Sequence, residues 1–417
     1  MNSNTILLRL GIDPSDFINE DNEPIINKDS FVYEVRQRTD IRKCPNCNNK
    51  DAIIKDYYYT TINCSETDQR KDFLRIKKVR FKCKKCNVTF TIPISGLTEY
   101  GKTSCQTYQM IINDFRKPLS FVQIANRYGV STARVVQIFD EKITYVPRLH
   151  FNEALCIDEI KFKDESGSKY CCVLYDFNSR KIIDIIKSRQ LPYLDEYFSK
   201  IPEVERNKVK YFISDMYDGY KTVCRKYFKK AIHIVDLFHV ITQLTKAVNK
   251  IRVAAMNKEE NTTYKNFMKS RWKFFLCRKD DIPNKTYTPK NTGTSIPYVD
   301  LVYDCVLNNN VLLEAYNCLQ DLFKYDEQST FTESLKYIDY ISERLNLSSN
   351  DNLKAVGRTY HKWRIEIANG LAKNQNEIHY TNAIAESLNN QLKTVIKVAY
   401  GYKNFERFRK RALLIIN

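Results

Sequence analysis

The side chains able to do chemistry in this 417-residue chain fall into two sets, carboxylates that end apolar runs and cysteines in close pairs. Asp158 directly follows Leu155-Cys156-Ile157, and Asp215 directly follows Tyr211-Phe212-Ile213-Ser214. A lone charged carboxylate at the end of a core strand is costly to desolvate, so such a residue normally has a partner or a metal. The cysteines pair as Cys44-Pro-Asn-Cys47 and Cys83-Lys-Lys-Cys86. Two turns of that spacing close a tetrahedral four-thiolate zinc site, and their Lys and Asn neighbours do not suit a buried core. Cys64 lies between the pairs without a close partner and is not expected to be a ligand. Cys156, Cys171 and Cys172 sit inside apolar runs and read as small core hydrophobes.

The elements that must position the carboxylates can be read from the runs around them. Leu155–Ile157, Tyr170–Leu174 and Ile182–Ile186, separated by turn residues, read as three consecutive antiparallel strands. A helix-like segment Leu194–Phe198, a fourth strand ending at Ser214, a fifth strand Ala231–Val235 ending at Asp236, and a helix through Val248 follow. The order β-β-β-α-β-α-β is that of a ribonuclease-H-like mixed sheet, in which the first and fourth strands are neighbours. Asp158 and Asp215 would then lie side by side, an oxygen-donor arrangement suited to Mg²⁺. Residues 251–375 interrupt this pattern as an inserted helical domain whose aromatics, such as Trp272 and Tyr337, read as core packing. In the stretch from Thr381 to Gly401, Ile384, Leu388, Leu392 and Val395 form one apolar stripe of a helix, with Glu386, Asn389, Asn390, Lys393 and Lys397 on another face. Taken alone, Glu386 is an ordinary first-turn glutamate favoured by the helix dipole.

Upstream, residues 1–40 carry little pattern, and 41–98 read as a zinc ribbon with strands Ile53–Tyr59 and Phe73–Phe81. From Arg70 to Cys86 there are nine Lys or Arg against the single acid Asp72, either a basic stripe facing phosphates or a solvated outer face. In the 99–148 segment, Ser120 with Gln123 forms a capping box, Gly129 suits a left-handed helix end, and Ser131 caps a second helix. That pattern fits a helix-turn-helix, with Thr132, Arg134 and Gln137 exposed toward base edges, or a plain helical hairpin. The ribonuclease-H-like core is then expected to occupy 149–250 and to resume at 376–417 after the insertion.

Charge points the same way. The chain holds 67 Lys and Arg against 49 Asp and Glu, a formal +18, which favours a polyanionic partner, nucleic acid ahead of membrane. Heavy Lys, Asn, Ile and Tyr usage is also what an A+T-rich gene produces. Thirteen cysteines, an odd number, with no signal-peptide layout, fit a reducing cytosol. No run approaches the ~18 apolar residues of a membrane span, so a soluble protein is expected.

Together these pieces resemble a DDE transposase, and most closely the ISL-three family of bacterial insertion-sequence transposases. The similarity rests on the two cysteine pairs, the helix-turn-helix around Gly129, IDEIKF, SDMYDGY, VDLFHV and, most specifically, NAIAESLNNQLKTVIKVAYGYKNFERF. It implies that Asp158, Asp215 and Glu386 form a catalytic triad holding Mg²⁺ or Mn²⁺, and that Asp236 and His239 match an Asp-x-x-His motif beside it. It further implies binding of terminal inverted repeats in double-stranded DNA, strand cleavage and strand transfer. A dimer or larger synaptic complex at the bacterial nucleoid would follow, with Lys393 and Lys397 near DNA. A ribonuclease-H-like nuclease without strand transfer, and a non-catalytic zinc-containing regulator derived from a transposase, are the competing expectations.

Overall fold

Two five-stranded sheets organise the chain, each in its own unit of a computed structural model. It describes all residues except 1–2, 19–22, 41–42, 65–70, 99–101, 146–149, 163–168, 290–292, 325–329, 374–379 and 381–382. The expected turn after Lys161, the start of the Thr381 stretch, the Ile384 side chain, and the segment boundaries near 41, 99, 148 and 376 lie outside the described residues. One unit comprises Met1–Val146 with Gln391–Asn417, and the other comprises Pro147–Asn390.

In the first unit, α1 (Ser3–Arg9) precedes β1 (Ile25–Asn27), β2 (Ser30–Arg36), β3 (Ala52–Asn63), β4 (Lys71–Cys83) and β5 (Thr89–Thr91). The sheet order is β1-β2-β4-β3, with β5 also on β4. Residues 25–36, patternless in sequence, thus extend the sheet of the cysteine segment, β2 running parallel to β4. Alternation explains the long strands: Ile62, Leu74 and Ile76 point into one core with Ile6 and Leu7, while Tyr57 and Tyr59 stay exposed. Three helices follow: α2 (Cys105–Asp114), α3 (Phe121–Tyr128) and α4 (Thr132–Lys142). The Ser120–Gln123 capping box starts α3, Gly129 ends it at φ 60°, and Ser131 caps α4. Gly129 serves twice, because a Cβ there would also lie 2.9 Å from Cβ of Asn63 at the end of β3. The helix core of Ile111, Phe115, Ile124, Val135, Ile138 and Phe139 is completed from the far end of the chain by α16 (Phe405–Ile416). Arg411, fully buried, lies over the rings of Phe115 and Phe121, each at 5.3 Å. It donates to the carbonyls of Lys117 (3.1 Å) and Leu119 (2.8 Å), and Arg407 forks onto Asp140 of α4.

The second unit begins with β6 (Ala154–Lys161), β7 (Tyr170–Asp176) and β8 (Lys181–Ile186), then α5 (Leu191–Ser199), α6 (Glu203–Arg206), β9 (Tyr211–Ser214), α7 (Asp218–Tyr227) and β10 (Ile232–Val235). The sheet order is β10-β9-β6-β7-β8; β7 is antiparallel to both β6 and β8, and β9 and β10 are parallel to β6. Nearly every residue of β7 and β8 is buried, the mark of a sheet covered on both faces. Leu194, Phe198, Tyr220 and Val223 of α5 and α7 pack on one face against Leu155, Ile157 and Leu174.

Beyond β10, the 22-residue α8 (Leu237–Lys258) starts a helical array. It contains α9 (Thr262–Ser270), the short pair β11 (Thr286–Tyr287) and β12 (Ile296–Pro297), α10 (Tyr298–Leu307), α11 (Asn310–Leu322), α12 (Phe331–Leu347), α13 (Asp351–Lys362) and α14 (Arg364–Leu371). One continuous apolar core runs through it, with Phe267, Phe275 and Trp363 fully or almost fully buried. α14 crosses β10 so closely that a Cβ on Gly370 would lie 2.4 Å from the Val235 carbonyl oxygen, and Asn369 donates to the His233 carbonyl. The last long helix, α15 (Ala383–Val398), runs from this unit into the first. No helix among the described residues is long and apolar enough to cross a membrane.

Candidate active site and cysteine cluster

Strand register places the acidic residues. The β6–β9 pairing runs through Cys156 opposite Ile213, so two residues further on Asp158 stands opposite Asp215. β9 and β10 pair through Ser214 opposite Val235, so the next step sets Asp215 opposite Asp236. The Asp236 N–H still donates to the Ser214 carbonyl, continuing the ladder to that point. Three carboxylates therefore form a row across adjacent strands, which lie about 4.8 Å apart.

Each is oriented by its backbone. Asp158 Oδ1 accepts from the Glu159 N–H (2.8 Å), Asp215 Oδ1 from the Tyr217 N–H (3.2 Å), and Asp236 caps α8 by accepting from the Phe238 N–H (3.3 Å). Below the row, the Ser214 hydroxyl donates to the Asp215 carbonyl and pairs with His233 Nε2 at 2.8 Å, pinning β9 to β10. His239, one turn into α8, sets Nδ1 3.2 Å from Asp236 Oδ2. Burial raises the Asp158 pKa and lifts that of Asp215 to about 6. Burial alone would lower the His239 pKa, but its bond to Asp236 and the charges of Asp236, Asp215 and Asp158 raise it. Asp158 and Asp215, two acids that resist ionising beside a positively polarised imidazole, form an oxygen-rich site that a divalent cation would relieve.

The second oxygen of Asp158 is held from α15. Asn389, almost fully buried, donates Nδ2 to Asp158 Oδ2 at 2.8 Å, while the buried Tyr175 hydroxyl donates to its Oδ1. That second bond fixes which end of the amide faces the carboxylate. Glu386 lies one helical turn earlier on α15. It is exposed, with no hydrogen bond or ion pair among the described residues. The structure thus gathers Asp158, Asp215, Asp236 and His239, and sets Glu386 on a helix tied to them without placing it in the row. Lys393 and Lys397 are exposed on the part of α15 that belongs to the first unit. Sequence reasoning had no signal for Tyr175 as the residue that orients Asn389, because a tyrosine within a strand reads only as core.

The cysteine cluster is built from two copies of one turn. In each, the N–H of the residue after the second cysteine returns to the carbonyl of the first: Asn48 to Cys44 (2.9 Å) and Asn87 to Cys83 (3.0 Å). Both asparagines take positive φ, 56° and 60°, a conformation Asn tolerates. All four sulfurs lie within 4.8 Å of one another, with Cys44–Cys86 at 3.6 Å and Cys47–Cys83 at 3.5 Å. Zn–S bonds of about 2.3 Å give tetrahedral edges of roughly 3.8 Å, so the thiols fit zinc as they stand. The Val88 N–H draws the Cys86 thiol down to about 6, and the Cys86 N–H lowers that of Cys83. Cys64 is buried elsewhere, in the core under β3 and β4.

On α4, Thr132 and Gln137 are exposed and Arg134 half-buried. Arg134 donates to Gln137 (2.9 Å) and Gln137 to Glu141 (2.8 Å), a chain of polar groups along one face. Arg134 and Gln137 line a cleft of about 1090 Å³, whose other walls include Thr61, Asn63 and Lys102.

Residues 155–412 match a family described as transposase, of the DDE type found in ISL-three elements. The curated transposase of insertion sequence element IS1001 from Bordetella parapertussis is 21% identical over 262 residues. That alignment covers 61% of this chain and 59% of the relative, so the chain spans less than two thirds of that protein's length.

Proposed function

This chain belongs to the ISL-three DDE transposase family, and from that premise we propose that it binds the terminal inverted repeats of its element and cuts and rejoins DNA there. The observation that carries the reading is the in-register row Asp158, Asp215 and Asp236, with α15 tied to it through Asn389. The sheet order β8-β7-β6-β9-β10, with β9 and β10 parallel to β6, supports a ribonuclease-H-like core.

Asp158 and Asp215 would hold Mg²⁺ or Mn²⁺ together with Glu386, once DNA or metal draws that side chain inward. Bound there, the ions supply activation of the attacking oxygen, first water and then a DNA 3′-hydroxyl, and neutralise charge on the phosphate. Asn389 and the Glu159 N–H hold Asp158 in place. Asp236 anchors His239 beside the row, and the pairing of Ser214 with His233 keeps β9 and β10 in register. The cysteine cluster would carry Zn²⁺ as a structural ion, shaping a zinc ribbon beside a helix-turn-helix whose Thr132, Arg134 and Gln137 meet base edges. Lys393 and Lys397 would contact phosphates, and cutting two ends in concert calls for a dimer or larger complex. Action on chromosomal DNA would place the protein at the bacterial nucleoid.

Glu386, exposed and outside the row, is the one observation favouring the non-catalytic regulator. Mg²⁺-dependent cleavage of duplexes bearing the gene's flanking repeats, run beside Glu386→Gln and a scrambled end, separates the two readings. End-specific nicking lost in the variant supports the transposase. Tight end binding with no cutting in Mg²⁺ or Mn²⁺ supports the regulator.

A further inference from the structure

We propose that Arg189 is a DNA-phosphate-binding residue at the end of the sheet that bears the carboxylate row; this rests on the transposase reading above. Its guanidinium lies over two rings, 5.0 Å from the centroid of Tyr170 and 4.9 Å from that of Tyr217. One nitrogen, Nη1, donates to both carboxylate oxygens of Glu159 at 2.7 and 2.8 Å. The other nitrogens make no hydrogen bond among the described residues, and the side chain is 35% exposed. The group is thus held by three side chains with donors to spare.

Its position follows from its clamps. Glu159 follows Asp158 on β6, so strand alternation sends its carboxylate to the face opposite Asp158, the face that carries Cys172 and α7, and Tyr217 is the residue whose N–H holds Asp215. The guanidinium is therefore fixed on the α7 face, at the end of β6 and β9 that bears both acids. A DNA strand brought to a row of carboxylates meets repulsion, and an arginine at the same end of the sheet offsets it without occupying the reacting atoms. Arginine's planar fork suits a phosphate, and stacking on aromatic faces leaves its in-plane N–H groups directed outward. A counter-ion serving Glu159 alone would need neither ring.

The same arrangement explains a glycine. Gly219 lies in α7 without positive φ, so no turn requires it. A Cβ there would lie 2.3 Å from Cε1 of Tyr217, so the missing side chain makes room for the ring that clamps Arg189.

The test uses the full chain and a duplex carrying the flanking repeat, with binding measured in Ca²⁺ between about 50 and 300 mM salt and cleavage in Mg²⁺. Arg189→Gln is expected to lower the slope of log affinity against log salt by about 0.9 and to weaken binding about tenfold at low salt. It should raise the KM for DNA more than it lowers kcat, with the melting temperature little changed. Arg189→Lys should restore the slope, because the charge returns. Glu159→Gln, which frees the guanidinium, should tighten binding. An Arg189→Gln protein with the wild-type slope and a lowered melting temperature overturns the proposal and leaves a structural counter-ion. If that variant does not fold, Glu159→Gln decides, and unchanged DNA affinity counts against the assignment. A wild type that binds ends but never cuts overturns the catalytic reading alone, whereas one that does not bind duplex DNA overturns both.

Discussion

The cysteine cluster, whose four sulfurs could share a metal ion, and the carboxylate row, proposed above to hold Mg²⁺ or Mn²⁺, are assembled in opposite ways. Four thiols come from two short turns of identical hydrogen bonding, and all sulfurs lie within ligand-sharing distance. The acids come from three strands and a distant helix, and one of the four, Glu386, stands outside the row. A structural site gains from being complete before any partner arrives. A site that admits DNA, as proposed for the row, would gain from having a ligand such as Glu386 on a separate helix, where arrival of the substrate can complete it.

Breaking the first site should have the largest effect. Cys83→Ser removes one of four thiolates where metal binding is worth roughly 10 kcal/mol. Zinc content should fall from about one ion per chain toward zero, with the ends of β3 and β4 becoming protease-sensitive; full zinc retention would sink the assignment.

Breaking the second site should leave the fold standing. Asp215→Asn is expected to cut cleavage by roughly 10³-fold while the melting temperature in metal-free buffer holds or rises, because one of several crowded anions is gone. Concurrent loss of folding and activity would mean the row is structural. Asn389→Ala sharpens the contrast, since it leaves the buried Tyr175 hydroxyl and Asp158 each short of a partner. A loss of about 1–3 kcal/mol in stability and of roughly 10–100-fold in activity, with a higher metal requirement, should appear in metal titrations.

The smallest effect is expected at a buried carboxylate belonging to neither site. Asp114 accepts from Lys117, Arg127 and the Tyr128 hydroxyl, at 2.6, 2.7 and 2.9 Å. Burial works to raise its pKa, and these bonds outweigh it and leave the pKa lowered. Its stabilising contribution is therefore complete above about pH 4 and fades as pH drops through the folded value. Asp114→Asn should cost about 1 kcal/mol at neutral pH and flatten that acid limb of a melting curve, with zinc content and cleavage unchanged.

Much of this was legible in the sequence where the determinant is local. The Ser120–Gln123 box, the left-handed Gly129, the Ser131 cap and the two cysteine turns each depend on a handful of neighbouring residues, and each forms where the spacing places it. The five core strands were readable from apolar runs. Parallel pairing of β2 with β4 was not, because residues 25–36 carry no alternation that stands out. Nor was the packing of α16 into the N-terminal helices, since a buried Arg411 in a basic segment looks like surface.

By itself the sequence determined which residues can do chemistry, carboxylates after strands and thiols two residues apart, and the turns that seat them, because these rest on short-range sterics and hydrogen bonds. Only the tertiary structure decided that Asp236 joins Asp158 and Asp215 in one row, that Asn389 reaches Asp158, that Glu386 is left exposed, and that Gly219 makes room for the ring over Arg189. Those outcomes depend on strand register and helix placement across as many as 231 residues of chain. Burial of apolar surface over the whole unit sets such long-range placement, and no local pattern encodes it.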